Sequence, residues 1–558
     1  MKRKKSILAK LLIGLLVCAG AISLIAAGGR DTGGGGAVPG SAANVNPPGV
    51  YPIVKEQITI NVGIRQSPEI ENYETNLLTR HFQEIGNFRL NFDIFPVGNP
   101  GLERFLIMVA GGGTLPEVAV GFYFSEELIY QLGREGVALP LNDYYENWAY
   151  YFPQQIQKVS NPNMWQWMHS PDGNVYHVPL IQEQIGEYFS LRGWMNHAWL
   201  DNLGLQMPET TDQFRTVLEA FRDRDPNRNG RRDEIPAGGN NFGRGRLDDF
   251  LINSFIYNDT RDRLIVNNGR VDVIYNKPEY REALRYINGL MNDGLILDQI
   301  YTIDGGGLRA IIESQDVATV GFFTAGLAGA ISPANRMRLE YGPMKPLRGP
   351  TGVNWTPYMP MGPHANFVIT KDARNPEAIF RWGDYQMSED ASIWARYGVP
   401  DRDWRRPRPG ERSLYDAMGF PPTLAPILPW GVIQNSHWQT TGPSILYTGL
   451  IDGEIVPDDP LSSGIPIARA AQLYRDLAPP ASHRVDRTSH TYQEMAEIRD
   501  LKPQINSFVE ESLALFVMGQ RSIERDWDAY IQELNRMGLQ RYIQLTQAGY
   551  ERALGLRR

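Results

Sequence analysis

The chain has 558 residues, 42% hydrophobic and 21% charged, the balance of a folded soluble protein long enough for about three domains. Its formal net charge of −8 moves to −13 once the five basic residues before Gly28 are set aside, which argues against nucleic-acid binding, because phosphate contacts need clustered Lys and Arg. The one cysteine, Cys18, lies near the start, so the chain beyond it has no disulfide, thiolate nucleophile or cysteine metal site.

Lys2, Arg3, Lys4 and Lys5 precede an apolar run, Leu11 to Ala27, that closes on small residues, the pattern of a secretory signal over 1–27. An uncleaved membrane anchor is the alternative reading. Residues 28–52 are rich in Gly, Ala and Pro and read as a flexible tether.

Alternation of Ile58, Ile60, Val62 and Ile64 with polar residues predicts a half-buried strand over Gln57–Gln66. A helix over Asn76–Ile85, a strand over Phe88–Val97, a helix over Leu102–Ala110 and a buried strand over Val118–Phe122 follow. That order implies a parallel sheet covered by helices. Thr210 and Gln213 form a capping box ahead of Phe214, Val217, Leu218 and Phe221, one apolar helical face. Tyr280, Leu284, Ile287 and Met291 form another, stopped at Gly294. From Glu494 the chain reads as helical, broken at Met537-Gly538.

The segment Asp225 to Glu234 places oxygen side chains at its first, third, fifth and ninth positions and Gly230 at the sixth. A hard cation needs six or more oxygens, and alternate residues of a tight turn converge on one centre. Asp225, Asn227, Asn229 and Asp233 would supply side chains, Arg231 its carbonyl, and Glu234 would replace the usual terminal Glu, because Pro236 stands at the twelfth position. A structural Ca2+ is the expectation; an Asx-rich surface turn is the alternative. The basic run Arg402, Arg405, Arg406, Arg408 and Arg412 reads as a solvated loop. Signatures of zinc proteases, serine hydrolases and phosphate-cradling loops are absent. Paired carboxylates for glycoside hydrolysis leave no short-range pattern, so a carbohydrate-active enzyme stays open, as does a surface adhesin.

Several segments in order resemble the oligosaccharide-binding branch of the extracellular solute-binding proteins that serve ATP-binding-cassette importers. They are Leu115-Pro116-Glu117-Val118, Leu139 to Asp143, Asp172 to Pro179, Trp199 to Phe214, Asp225 to Pro236, Gly294-Leu295-Ile296, Phe367 to Ala378 and Phe516 to Leu539. The chain departs from that pattern at the lipid-anchoring cysteine, where Gly28 stands, and in the Arg402–Arg412 loop. The resemblance implies an α/β fold of two lobes, type II-like, with an interlobe cleft and a helical C-terminus. It places 53–180 and 301–370 in one lobe, and 181–300 and 371–558 in the other. It also implies an exported monomer that closes on an oligosaccharide and delivers it to importer permease subunits, with no catalysis; peptide or lipid-like ligands stay open. Sugars need aromatic platforms and hydrogen-bonding walls. On loop placement, Arg65, Tyr188, Arg192, Trp194, Phe322, Trp355, Tyr358, Trp430 and Trp438 are the expected ligand contacts.

Overall fold

The computed structural model describes residues 41–555; the expected signal segment and the start of the expected tether lie outside them. Strands β1 (Ile58–Arg65), β2 (Phe88–Phe95) and β3 (Val118–Phe124) form where the alternation predicts, with Ile60, Val62 and Ile64 fully buried. Helix α1 (Leu77–Gly86) is capped by the Asn76 side chain and ends at Asn87 in the left-handed region. Helices α2 (Asn99–Ala110) and α3 (Glu126–Arg134) flank β3 in sequence. Six strands make the first sheet: these three with β4 (Val178–Gln182), β9 (His364–Ile369) and β10 (Ser444–Leu446), in the order β10-β4-β9-β3-β1-β2. All run parallel except β9, which is antiparallel to both β3 and β4.

A second sheet, in the order β8-β5-β7-β6, joins β5 (Gly193–Asn196), β6 (Ile235–Gly238), β7 (Val320–Thr324) and β8 (Tyr341–Met344). Its helices include α4 (Thr211–Asp223), whose capping box forms as read, and α5 (Pro278–Asn292). Phe214, Val217, Leu218, Phe221, Leu284 and Ile287 enter one core with α8 (Tyr492–Val517), α9 (Ile523–Arg536) and α10 (Leu539–Ala553). Around the first sheet, α6 (Pro376–Gln386) and α7 (Glu389–Tyr397) pack with Trp382 and Trp438 in a separate core.

The lobe boundaries read from the sequence need correction. Within the expected first-lobe segment 301–370, β7 and β8 pair with β5 in the second sheet, and only β9 joins the first. Residues 371 to about 452, expected in the second lobe, supply α6, α7 and β10 to the first. The tether also ends earlier than expected. Asn46 N donates to Ile53 O (2.8 Å), Val45 bridges Val54, and Arg381 donates to the carbonyls of Asn46 and Pro47, so residues 44–54 are docked. Backbone groups that find partners cease to behave as a free linker.

Candidate functional site: a crevice between two sheet edges

Strand β1 leads to β2 on one side, whereas its other neighbour β3 leads to β4 on the opposite side, so the connections diverge at the carboxyl ends of β1 and β3. In open α/β sheets the crevice outside the carboxyl ends at such a point is where ligands bind. Here it carries Arg65, the last residue of β1, whose guanidinium lies 4.7 Å over the Tyr123 ring. Tyr123 is 38% exposed and sits at φ 52°, an uncommon conformation for a bulky residue. Gly121 has φ 80°, and a Cβ there would stand 2.5 Å from the Thr441 methyl, so this close approach requires glycine. His364, where antiparallel β9 begins, meets the Tyr123 ring edge-on at 5.8 Å. Burial raises the Tyr123 hydroxyl pKa and lowers that of His364, although both residues are exposed.

The second sheet carries an exposed loop of its own. Past the end of β6, the loop Gly239–Arg246 projects Phe242, 80% exposed, and Arg244, which pairs with Glu187. Residues 183–192 and 348–363 cross between the sheets side by side, with Met359 N donating to Tyr188 O at 2.9 Å. Tyr188 and Tyr358 stack at 5.3 Å, and the Arg484 guanidinium covers the Tyr358 ring at 3.7 Å. Trp430, 58% exposed, lies on the Arg396 guanidinium at 4.5 Å, and Arg396 in turn neighbours Tyr397 and the charge of Glu454. Flat rings backed by cations and flanked by carboxylates can grip apolar ring faces and hydroxyl rims together.

The nominated residues divide. Arg65, Tyr188, Tyr358 and Trp430 remain wholly or partly accessible. Trp355 is half-buried against the second-lobe core. The other four are corrected by burial. Trp194 is fully buried, its Nε1 donating to Ala325 O (2.9 Å). Phe322 is packed between Phe214 and Phe250. Trp438 lies in the first-lobe core with Nε1 on Thr79 Oγ1 (2.9 Å). Arg192 is fully buried, donating to Gly186 O, where it supports the crossover from beneath. Sequence reasoning missed Tyr123, Phe242, His364 and Arg396; an aromatic at the end of the β3 apolar run was the one available signal.

In the Arg402–Arg412 loop, Arg405 pairs with Glu411, Arg402 with Asp403 and Arg412 with Asp416, as a solvated basic loop requires. At the first crossover, Asp452 accepts from Ile185 N at 3.1 and 3.2 Å. Burial, with Glu183 and Glu454 nearby, raises its pKa to about 8. The folded carboxyl thus keeps a proton that the unfolded chain loses near pH 4. The folded state binds more protons across that window, and stability falls as pH rises from about 4 to 8. Asp452→Asn is expected to flatten that decline, raising the melting temperature at pH 8 more than at pH 5.

The loop Asp225–Glu234 folds inward on itself. Asn229 N donates to Asp225 Oδ1 (3.0 Å), Gly230 N to Asp225 Oδ2 (3.0 Å), and Arg231 N to Asn229 Oδ1 (2.7 Å); Gly230 has φ 75°. Asp233 accepts from Asn229 and from Gln315 (both 2.9 Å), and Glu234 Oε1 is buried with no hydrogen-bond partner. Among the described residues no three His, Cys, Asp or Glu side chains group as a metal cage, so a cation here would depend on the asparagine and carbonyl oxygens as well. The Asp225, Asn227 and Asn229 oxygens are engaged by backbone N–H groups, and the buried Glu234 Oε1 is left for a cation to satisfy if one binds.

Two sheets, each with its own helices and core and joined by crossovers that run side by side, make a two-lobed α/β arrangement. The sequence profile of the bacterial extracellular solute-binding proteins matches residues 93–393, and the chain belongs to that family. The fructooligosaccharide transporter substrate-binding protein FusA of Streptococcus pneumoniae is 27% identical over 460 residues, 79% of this chain and 80% of its own. The structure of FusA with kestose superposes with a TM-score of 0.73 at 23% identity, covering 89% of this chain and 99% of that one. FusA has also been solved as an EF-hand mutant with fructo-nystose, at TM-score 0.73 and 22% identity, with the same coverage. A solute-binding protein from Bifidobacterium longum infantis, associated with an HMO-binding transporter, gives a TM-score of 0.74 at 18% identity and covers 90% of this chain and 100% of its own.

Proposed function

We propose that this chain is the extracytoplasmic receptor of an ATP-binding-cassette importer and captures an oligosaccharide between its lobes. The observation that carries this is a set of accessible rings resting on guanidiniums at the ends of the first sheet and on the crossovers, Tyr123 on Arg65, Tyr358 on Arg484 and Trp430 on Arg396, with Tyr188 stacked on Tyr358. The relatives' stated ligands support the same class. A guest that contacts both walls favours the closed arrangement by its differential contacts, and closure is the signal an importer reads. No bond is made or broken in this reading. The protein acts outside the cytoplasm as a monomer; among the described residues no helix is long and apolar enough to cross a membrane. Thermal-shift and calorimetric titration against neutral and acidic oligosaccharides test it. Saturating ligand at about 100 times Kd should stabilise by about 2.7 kcal/mol with no product formed. A flat response to every glycan, or a consumed one, overturns it.

Ca2+ in the Asp225–Glu234 loop would neutralise Asp225, Asp233 and Glu234 and hold the turn through the Asn227 and Asn229 side chains and the Arg231 carbonyl. Burial, with Asp233 and Asp225 nearby, raises the Glu234 pKa, the mark of a carboxylate lacking a counter-charge. Chelation is expected to lower the melting temperature by a few degrees, with restoration by Ca2+. An identical curve with and without chelator would remove the ion from the account.

A further inference from the structure

Strands β4 and β10 lie side by side and parallel in the first sheet, Gln182 opposite Leu446, and the chain leaves both toward the second lobe. Residues 183–192, the first crossover, follow β4. Residues 447–463 follow β10 as a third crossover and lead to the helix Gly464–Tyr474, whose Ala468, Ala471 and Tyr474 are buried in the second-lobe core. Glu183 N donates to Leu446 O at 2.9 Å, and two residues on, Ile185 N donates to both carboxyl oxygens of Asp452 at 3.1 and 3.2 Å. A side chain of the third crossover thus fastens the backbone of the first.

Asp452 is completely buried, and that N–H is the one donor its carboxyl meets among the described residues. The first crossover turns Glu183, itself fully buried, and the Tyr188 hydroxyl toward it; its own loop adds Glu454, the 399–426 loop the Tyr415 hydroxyl, and α7 the cation Arg396. Those groups have partners of their own: Glu183 accepts from Ser160 N and Asn161 N, Glu454 from the Tyr397 hydroxyl, and Arg396 lies under the Trp430 ring. A sealed carboxylate beside two others, with one amide for a partner, is strongly disfavoured, so this arrangement of the crossovers requires a proton on Asp452. Resting on lobe closure as the mode of capture, we infer that the junction is a proton-operated lock: the proton on Asp452 keeps the first and third crossovers joined, and its release lets them part and weakens capture of a guest. Burial, with Glu183 and Glu454 nearby, places that release at about pH 8. Above it, any arrangement that brings water to Asp452 binds one proton fewer and gains up to about ten-fold in population per pH unit.

Hydrogen exchange of the full chain without ligand, read at the 183–192 backbone and corrected for the intrinsic effect of pH, tests the lock. Protection should hold steady below about pH 7.5 and fall by about ten-fold between about pH 8 and 9. Asp452→Asn keeps the acceptor and cannot ionise, so its protection should stay level throughout. Glu454→Gln removes a repelling charge and should move the fall to lower pH; it decides the matter if Asp452→Asn does not fold. Calorimetric titration with kestose and with a panel of neutral and acidic oligosaccharides should show weaker binding at about pH 9 than at pH 7 in the wild type and equal binding in Asp452→Asn. Level protection in the wild type, a fall of the same size in Asp452→Asn, or an unmoved fall in Glu454→Gln would overturn the inference and leave oligosaccharide capture standing. So would undiminished affinity at about pH 9 once protection is lost. A chain that shows the pH step but binds no glycan at any pH would sink the capture reading instead.

Discussion

Trp438→Ala should lower the unfolding free energy by about 3–5 kcal/mol, the range for deleting a large aromatic from a packed core. The indole is fully buried and meets Phe82 at 5.2 Å, Tyr73 at 5.7 Å and Trp382 at 6.2 Å, each edge-on. Its loss would also strand the Thr79 hydroxyl that accepts from Nε1. Trp430→Ala makes the contrast. That ring is 58% exposed and rests on Arg396, so its removal should shift stability by no more than about 0.5 kcal/mol. Glycan affinity should instead fall by about ten-fold, as when an exposed aromatic anchor is lost. Urea unfolding and ligand titration of both variants separate the roles; a destabilised Trp430→Ala, or a fully stable Trp438→Ala, would reverse the assignment.

Asp249→Ala should cost a comparable 3–5 kcal/mol, for an electrostatic reason. Asp249 is nearly sealed, accepts from Asn258 Nδ2 at 2.8 Å, and faces two almost buried guanidiniums, Arg263 at 3.2 Å and Arg246 at 3.3 Å. Asp248 holds Arg246 at 2.6 Å, and Glu510 of α8 reaches both arginines at 2.5 Å. Deleting Asp249 leaves buried positive charge under-compensated. Glu510→Gln should cost much less, because that carboxylate is 42% exposed and water screens its absence. Chemical denaturation midpoints give the order directly. Equal losses from the two variants would show that burial does not set the strength of this network.

Local patterns were legible throughout. Alternation placed β1 and β2, the Thr210–Gln213 pair placed α4, and Gly538 at φ 93° separates α9 from α10 where the break was read. The tight turn at Asp225–Glu234 was legible for the same reason, since the groups that fold it are neighbours in the chain. Partition between sheets was not. Val320–Thr324 and His364–Ile369 are both short apolar strands, and only their distant partners decide which sheet each joins. The ligand residues failed in a related way. Near a crossover, an aromatic reads alike whether it faces the crevice or the core, so Trp194 and Trp438 looked like Trp430. Arg192 misled because a guanidinium reads as a surface hook, whereas here it sits under Gly186 as an internal brace.

Helix α8 runs for 26 residues, a rod about 39 Å long. Its first turn touches the first lobe, with Tyr492 against Tyr130 and Arg134, while Glu494 and Glu497 are tied to Arg552 and Arg541 of α10, and its far half is embedded in the second-lobe core. A beam fixed at one end and resting on the opposite body turns hinge angle into travel: ten degrees about the embedded end would carry the tip roughly 7 Å. Pro503, which removes one backbone donor partway along, is the natural point of flexure. The Tyr492 contact is therefore where any relative rotation of the two bodies would act through the longest lever arm.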